Sequence, residues 1–191
     1  MVNYSSYQKF SPPVNGTRVM LRLLTNQNQG DGLIKMFMEA PPEDTVFLKQ
    51  DIQDPTLIRT WLEQINYRQV IPLLALDIDH KRVIGEAHID RGQGVFHHVG
   101  DIQQVFVSRP FQNCGLGSLL IDHLIELAQE ENLQWLKAEV VTEHKNALKA
   151  FLNKGFRIKA TLEDFFWSKN GRTYDVALLT RPLLSEDAED F

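Results

Sequence analysis

The stretch that most constrains the fold runs from Val105 to Leu124 and reads VFVSRPFQNCGLGSLLIDHL. It joins an apolar strand end to a polar loop containing Gly115 and Gly117, and then to an amphipathic helix. A glycine turn that opens a helix directs several backbone N–H groups and the positive end of the helix dipole at one spot. The stretch therefore predicts a strand–loop–helix unit that holds a phosphate-bearing ligand.

Apolar periodicity on both sides of this unit predicts further strands and helices. Alternating apolar residues predict strands over residues 17–24, 71–78, 83–90, 100–107, 135–141, 165–168 and 173–179. Apolar residues at helical spacing predict helices over residues 32–38, 54–68, 116–131 and 146–153. We expect the three middle strands to form an antiparallel meander, and the strand after the long helix to run parallel to the strand before it.

Local signals mark the ends of several elements. Asp54 followed by Pro55 predicts a capped helix start. Asn170 followed by Gly171 predicts a two-residue turn between the last two strands. Residues 39–50 follow a predicted helix end and are predicted to form an exposed loop.

The two ends of the chain differ in composition from the part between them. Residues 1–15 are polar and are predicted to be an N-terminal extension, and residues 183–191 form an acidic C-terminal tail. The 191 residues are 43% hydrophobic and 24% charged, and no break in composition indicates a second domain. One domain over residues 16–182 is therefore expected.

Charge and cysteine content argue against several classes of protein. The formal net charge of -5 disfavours a general binder of nucleic acid or of anionic membranes. The single cysteine, Cys114, excludes an internal disulfide framework, and adjacent His97 and His98 match no standard metal spacing, so we expect no metal. Because the sequence has neither an export signal nor an apolar run that spans a bilayer, we expect a cytoplasmic protein.

The glycine loop differs from two common phosphate-binding loops. A nucleoside triphosphate loop requires a lysine and a hydroxyl residue after its last glycine, but Gly117 is followed by Ser118 and Leu119. A dinucleotide loop requires a third glycine at the position of Leu120. A tight turn without any ligand remains the structural alternative.

Gln112, Gly115 and Gly117 follow the apolar residues 105–107. This spacing resembles the acetyl-CoA signature of the GCN5-related N-acetyltransferases, the GNAT superfamily. Over residues 105–156, ending in ALKAFLNKGF, the chain is similar to bacterial ribosomal-protein alanine acetyltransferases, and its closing block resembles that of general amine acetyltransferases. The resemblance implies an α+β (mixed α/β) fold with a central mixed sheet of six to seven strands, about four helices and two splayed parallel central strands.

The resemblance also implies where acetyl-CoA, as cosubstrate, is held. The unpaired backbone of the splayed strand would bind the pantetheine arm, and the loop amides would bind the pyrophosphate. His144 stands where the family usually has an asparagine, and Asn146 follows two residues later. The implied cofactor-binding residues are Val105, Phe106, Val107, Gln112, Asn113, Cys114, Gly115, Leu116, Gly117, Ser118, His144 and Asn146.

For catalysis, the resemblance implies direct acetyl transfer to a primary amine of a small molecule or protein. Glu139 stands at the position of the glutamate proposed as the base. The usual tyrosine acid is replaced by Phe151, which has no proton to donate. A non-catalytic acyl-CoA-binding regulatory module of the same fold is therefore the alternative.

The sequence identifies neither the acceptor amine nor whether the protein forms a homodimer. Glu86, His88 and Asp90 share one face of a predicted strand and are candidates to line the amine pocket. Trp61 and the aromatic residues 165–167 are candidates for its walls, or for the core. A small-molecule or peptide amine is the expected partner.

Overall fold

The computed structural model describes residues 7–25, 27–49, 52–168 and 171–183. Within them, eight strands form one mixed sheet in the spatial order β1-β2-β3-β4-β5-β6-β8-β7. The strands are β1 (Gln8–Phe10), β2 (Val19–Leu23), β3 (Val70–Asp77), β4 (Arg82–Arg91), β5 (Val99–Val107), β6 (Trp135–Val141), β7 (Arg157–Trp167) and β8 (Thr173–Pro182). The helices are α1 (Gln27–Met38), α2 (Pro42–Thr45), α3 (Pro55–Gln64), α4 (Leu116–Glu130) and α5 (Lys145–Asn153).

The mixed α/β fold class is confirmed, with more strands and helices than expected. Six to seven strands and about four helices were predicted, whereas the described residues form eight strands and five helices. One added strand is β1, which lies inside the predicted N-terminal extension and pairs with β2. All three β1 residues are exposed, so this edge strand lacks the apolar alternation from which strands are predicted.

The ends of some elements differ from the prediction. Asp54 caps α3 as predicted, accepting hydrogen bonds from the backbone N–H groups of Thr56 and Leu57. The helix ends at Gln64 rather than near residue 68, because Ile65 has an extended ψ of 123°. β7 is longer than predicted, since it pairs with β8 along mostly exposed residues. In the predicted turn, Asn170 lies outside the described residues, as do residues 184–191 of the predicted tail.

Helices cover both faces of the sheet and make two apolar cores. On one face, α4 buries Leu120, Leu124 and Leu127 completely against the sheet. On the other face, α1 and α3 pack through residues such as Leu33 and Ile58. The glycine loop therefore leads from the central strand β5 into the helix that forms the larger core.

The parallel pair β5 and β6 splays apart halfway along its length, as predicted. The two strands pair from Val99, opposite Trp135, to Ile102, opposite Ala138. Beyond that point, β5 continues to Val107 and β6 to Val141 without pairing to each other. The facing backbone edges of these two segments are therefore not paired to each other, although the Val107 carbonyl accepts a hydrogen bond from the Gln112 side chain.

The prediction of an exposed loop over residues 39–50 is wrong for most of its described part. The segment contains α2, and its Thr45 is buried. Phe47 packs edge-on against Tyr174 with 5.2 Å between ring centroids, and the Val46 carbonyl accepts a hydrogen bond from Ser168. This segment lies across the sheet because residues distant in the chain hold it there, which local periodicity does not reveal.

Candidate functional site

A groove of about 330 Å³ opens where β5 and β6 separate, beside the start of α4. Most of the residues predicted to bind the cofactor line this groove. They are Val105, Phe106, Val107, Gln112, Asn113, Gly115, Gly117, Ser118, His144 and Asn146. The structure thus brings together the splayed strand, the glycine loop and the start of α5.

Two of the predicted cofactor residues do not line the groove. The Leu116 side chain is fully buried in the core under α4. The Cys114 thiol donates a hydrogen bond to the Phe111 carbonyl, with 2.7 Å between Sγ and O. The prediction for both residues concerned their backbone amides, and it remains a prediction.

The loop presents the N-terminus of α4 to the groove. Asn113 and Gly115 have positive φ angles of 57° and 92°, so the chain turns sharply before the helix. Gly115 is the N-cap and offers no side chain to the first-turn N–H groups. A Cβ at Gly117 would meet only the Val107 side chain, at 3.9 Å, so a side chain there would not clash with the protein. Glycine at this position instead keeps the groove open.

Acidic residues of α2 form one wall of the groove. Arg109 donates hydrogen bonds to both Glu43 and Asp44, and Gln112 donates one to Asp44 with 3.1 Å between Nε2 and Oδ2. These bonds, led by that from Arg109, lower the pKa of Asp44. Sequence reasoning missed both carboxylates, because they lie in the segment that was predicted to be an exposed loop.

The start of α5 is tied to the glycine loop. Asn146 donates a hydrogen bond to Asn113, with 2.8 Å between Nδ2 and Oδ1. The His144 ring lies 5.7 Å from the Phe47 ring, and partial burial lowers the pKa of His144, which favours the neutral imidazole. Phe151 also lines the groove, so a residue without a hydroxyl occupies the predicted acid position.

Glu139 lies outside the groove, in a neighbouring cavity of about 220 Å³. Phe47 lines both spaces. Lys49 approaches the Glu139 carboxylate to 2.8 Å and, with a smaller contribution from Lys137, lowers the pKa of Glu139. A lower pKa makes a carboxylate a weaker base, so the ion pair with Lys49 weakens Glu139 as a proton acceptor. Its role as the base remains a prediction.

A third cavity, of about 280 Å³, lies between α1, α3 and the β4–β5 pair. Two of the strand residues that were predicted to share a face, Glu86 and His88, line it together with Gln104. Glu86 Oε1 lies 2.8 Å from His88 Nδ1, and Gln104 donates a hydrogen bond to the other carboxylate oxygen at 2.9 Å. The cavity therefore has a polar base within an otherwise apolar lining.

The described residues form neither a cluster suited to a metal ion nor a helix suited to crossing a membrane. Among the residues that the structure describes, no group of three or more histidine, cysteine, aspartate and glutamate side chains is arranged to hold a metal ion. None of the described helices combines the length and apolar character that crossing a bilayer requires.

Comparison with known proteins gives consistent likenesses. Residues 33–156 match the family model described as the Acetyltransferase (GNAT) family. A GNAT-family acetyltransferase from Streptococcus pneumoniae superposes with a TM-score of 0.73 at 24% identity, covering 86% of this chain and 99% of that chain. A ribosomal-protein-S5-alanine acetyltransferase from Vibrio fischeri superposes with a TM-score of 0.74 at 14% identity, covering 86% of this chain and 92% of that chain.

A spermidine N-acetyltransferase from Vibrio cholerae, solved in complex with CoA and spermine, gives a TM-score of 0.73 at 17% identity. The alignment covers 86% of this chain and 95% of that chain. At these identities, the structural likenesses establish the fold and leave the acceptor open.

Proposed function

Because the chain belongs to the GNAT family of acetyltransferases, we propose that it transfers the acetyl group of acetyl-CoA directly to a primary amine of a small molecule or protein. The observation that carries the proposal is the groove at the splay of β5 and β6, which ends at the glycine loop before α4. Family membership implies acetyl-CoA as the donor, and the groove supplies backbone groups suited to both halves of that molecule.

The groove would hold acetyl-CoA mainly through backbone groups. The edge of β5 that does not pair with β6, around Val105 and Val107, would bind the amide groups of the pantetheine arm. The amides around Gly115 and Gly117 would bind the pyrophosphate at the positive end of α4. Backbone donors explain how this loop can bind phosphate without a lysine.

Transfer requires a neutral amine beside the thioester. The amine nitrogen attacks the thioester carbonyl carbon, the C–S bond breaks, and the coenzyme A thiolate leaves while the amine loses a proton. In our proposal, Glu139 takes that proton through a chain of water molecules, since Glu139 lines a neighbouring cavity rather than the groove. A cysteine thiol has a pKa of about 8.5. By this guide, the coenzyme A thiolate can leave without a proton from the Phe151 position. Holding both reactants in place supplies much of the acceleration.

A non-catalytic acyl-CoA-binding module is the second candidate. It is favoured by Phe151, which removes the usual acid, and by the Lys49–Glu139 ion pair, which weakens the proposed base. Measuring thiol release from acetyl-CoA over a panel of primary amines separates the two functions. Release that depends on the amine supports the enzyme, whereas tight CoA binding without release for any amine supports the module.

The acidic wall of the groove leads to a prediction for cofactor affinity. Asp44→Asn removes a negative charge beside the proposed phosphate site, while Arg109 keeps its bond to Glu43 and Gln112 its bond to the Val107 carbonyl. One unit charge at close range in a solvated groove is worth about 1 kcal/mol, which corresponds to a Kd for acetyl-CoA lower by roughly fivefold. Calorimetric titration at low and high salt measures this change.

The matched control is Asp31→Asn, because Asp31 also forms an ion pair with an arginine, Arg59. We expect its Kd for acetyl-CoA to equal that of the wild type. A weaker affinity for Asp44→Asn would show instead that Asp44 holds Gln112 in its binding position.

A further inference from the structure

The cavity between α1, α3 and the β4–β5 pair has apolar walls. Leu33 and Phe37 from α1, Ile58 and Trp61 from α3, and Ile52 surround it. All of these except Trp61 are buried at less than 10% exposure, so the walls are held in place by the second core. Leu57, which is 56% exposed, completes the apolar lining at the solvent side, and such walls favour the apolar part of a ligand.

Three polar side chains at the base of this cavity are almost fully buried. Glu86, His88 and Gln104 are 1%, 3% and 6% exposed. A register shift next to His88 places it opposite Gln104, which brings the three side chains together on one face. Burying such a group has a desolvation cost that apolar residues of similar size would avoid.

The hydrogen bonds within this group leave specific atoms for a ligand. Glu86 accepts one bond through each carboxylate oxygen, from His88 Nδ1 and Gln104 Nε2. His88 Nε2 and the Gln104 amide oxygen are the atoms that these bonds do not use. One is a ring nitrogen and the other an acceptor, so together they suit the polar end of an amine.

The cavity also lies next to the proposed acetyl-CoA groove. Gln104 belongs to the part of β5 that has separated from β6. Phe106 lines the groove and packs edge-on against Phe37, which lines the cavity, with 5.4 Å between the ring centroids. A ligand in the cavity would therefore lie beside the strand edge that is proposed to bind the thioester arm.

Charge within the cavity limits the kind of amine that it suits. Burial disfavours the imidazolium, but the Glu86 carboxylate outweighs this effect and raises the pKa of His88. Glu86 is the only carboxylate among the described residues that line the cavity, and both of its oxygens already accept hydrogen bonds. A polyamine needs several unpaired carboxylates along its length, and this lining offers none.

From these observations we infer that this cavity is the acceptor pocket and that it takes a compact primary amine with an apolar body, whose polar end meets His88 and Gln104. The inference rests on the proposed acetyl transfer. The alternative location for the acceptor is the cavity around Glu139, which is lined by the exposed residues Phe165 and Trp167.

Two tryptophans provide a matched test, because Trp61 lines the inferred pocket and Trp167 lines the cavity around Glu139. The acceptors are 2-phenylethylamine, spermidine and a short peptide with an amino-terminal alanine. We expect 2-phenylethylamine to give at least a tenfold higher kcat/KM than either of the others. We expect Trp61→Ala to raise its KM about tenfold or more through lost apolar contact, and Trp167→Ala to change it less than twofold.

Measuring amine binding directly tests the inferred pocket independently of the proposed acetyl transfer. Calorimetry of 2-phenylethylamine with the CoA-loaded protein should show weaker binding to Trp61→Ala than to the wild type. If no amine releases thiol but this difference in binding is found, the proposed function fails and the pocket stands. If 2-phenylethylamine is acetylated equally well by Trp61→Ala and the wild type, the function stands and the pocket is wrong.

Two further outcomes would overturn the inference. One is a preference for spermidine or the peptide, and the other is a larger effect of Trp167→Ala than of Trp61→Ala. Should Trp61→Ala lack a cooperative melting transition, His88→Gln replaces it, with a raised KM for 2-phenylethylamine and an unchanged Kd for acetyl-CoA as the expected result. An unchanged KM in His88→Gln would then overturn the inference.

Discussion

Gly117→Val is expected to abolish measurable binding of acetyl-CoA while the protein stays folded. A Cβ at this position meets only Val107 at 3.9 Å, so the fold tolerates a side chain there. The valine methyl groups would instead occupy the groove and keep a phosphate away from the loop amides. Losing two hydrogen bonds to a charged group, at about 1.5–3 kcal/mol each, raises Kd by about 100-fold or more.

Calorimetric titration with acetyl-CoA measures this loss, and thermal melting verifies the fold. Gly117→Ala is the graded control, because its single methyl group protrudes less into the groove and should weaken binding less than valine does. Wild-type affinity in Gly117→Val would mean that the phosphates bind elsewhere, and the cofactor assignment of the loop would then be wrong.

Glu139→Gln is expected to lower kcat/KM by about 100-fold or more, the usual contribution of a general base. The Kd for acetyl-CoA should stay the same, because Glu139 lies outside the groove that is proposed to hold the cofactor. Glu143→Gln is the matched control, since this exposed glutamate accepts a hydrogen bond from its neighbour Thr142. Equal activities in Glu139→Gln and the wild type would remove Glu139 from the mechanism.

The ion pair of Glu139 adds a dependence on pH. Lys49 lowers the pKa of the Glu139 carboxyl, so its removal in Lys49→Met should raise that pKa. A base with a higher pKa loses its proton at a higher pH. The acidic limb of the kcat/KM profile should therefore move to higher pH in Lys49→Met, measured with the same amine as for the wild type. A limb that does not move would show that another group accepts the proton.

Much of the fold followed from local patterns in the sequence. The apolar spacing in α4 and the alternation in β3 to β6 predicted these elements to within a few residues, because each buries one face or both faces in the core. The strand, glycine turn and helix that form one side of the groove were predicted from the same patterns, since these elements are adjacent in the chain. Contacts of this kind need no information from distant residues.

The segment over residues 39–50 shows where such reasoning fails. Its Asp44 is held by Arg109, and its Lys49 by Glu139, across long separations in the chain. Neither contact produces a periodic pattern, and a four-residue helix is too short to be recognised by spacing. As a result, the acidic wall of the groove and the partner of the proposed base were both missed.

By itself, the sequence determined the order of the main strands and helices, the glycine loop that is suited to phosphate, and the loss of the tyrosine hydroxyl at Phe151. Only the tertiary structure decided that Glu139 lines a cavity other than the groove and that Glu86, His88 and Gln104 form the polar floor of an apolar cavity. The reason is physical. Hydrogen bonding and burial along one element depend on nearby residues, whereas a cavity and the charges in it depend on which distant elements pack together.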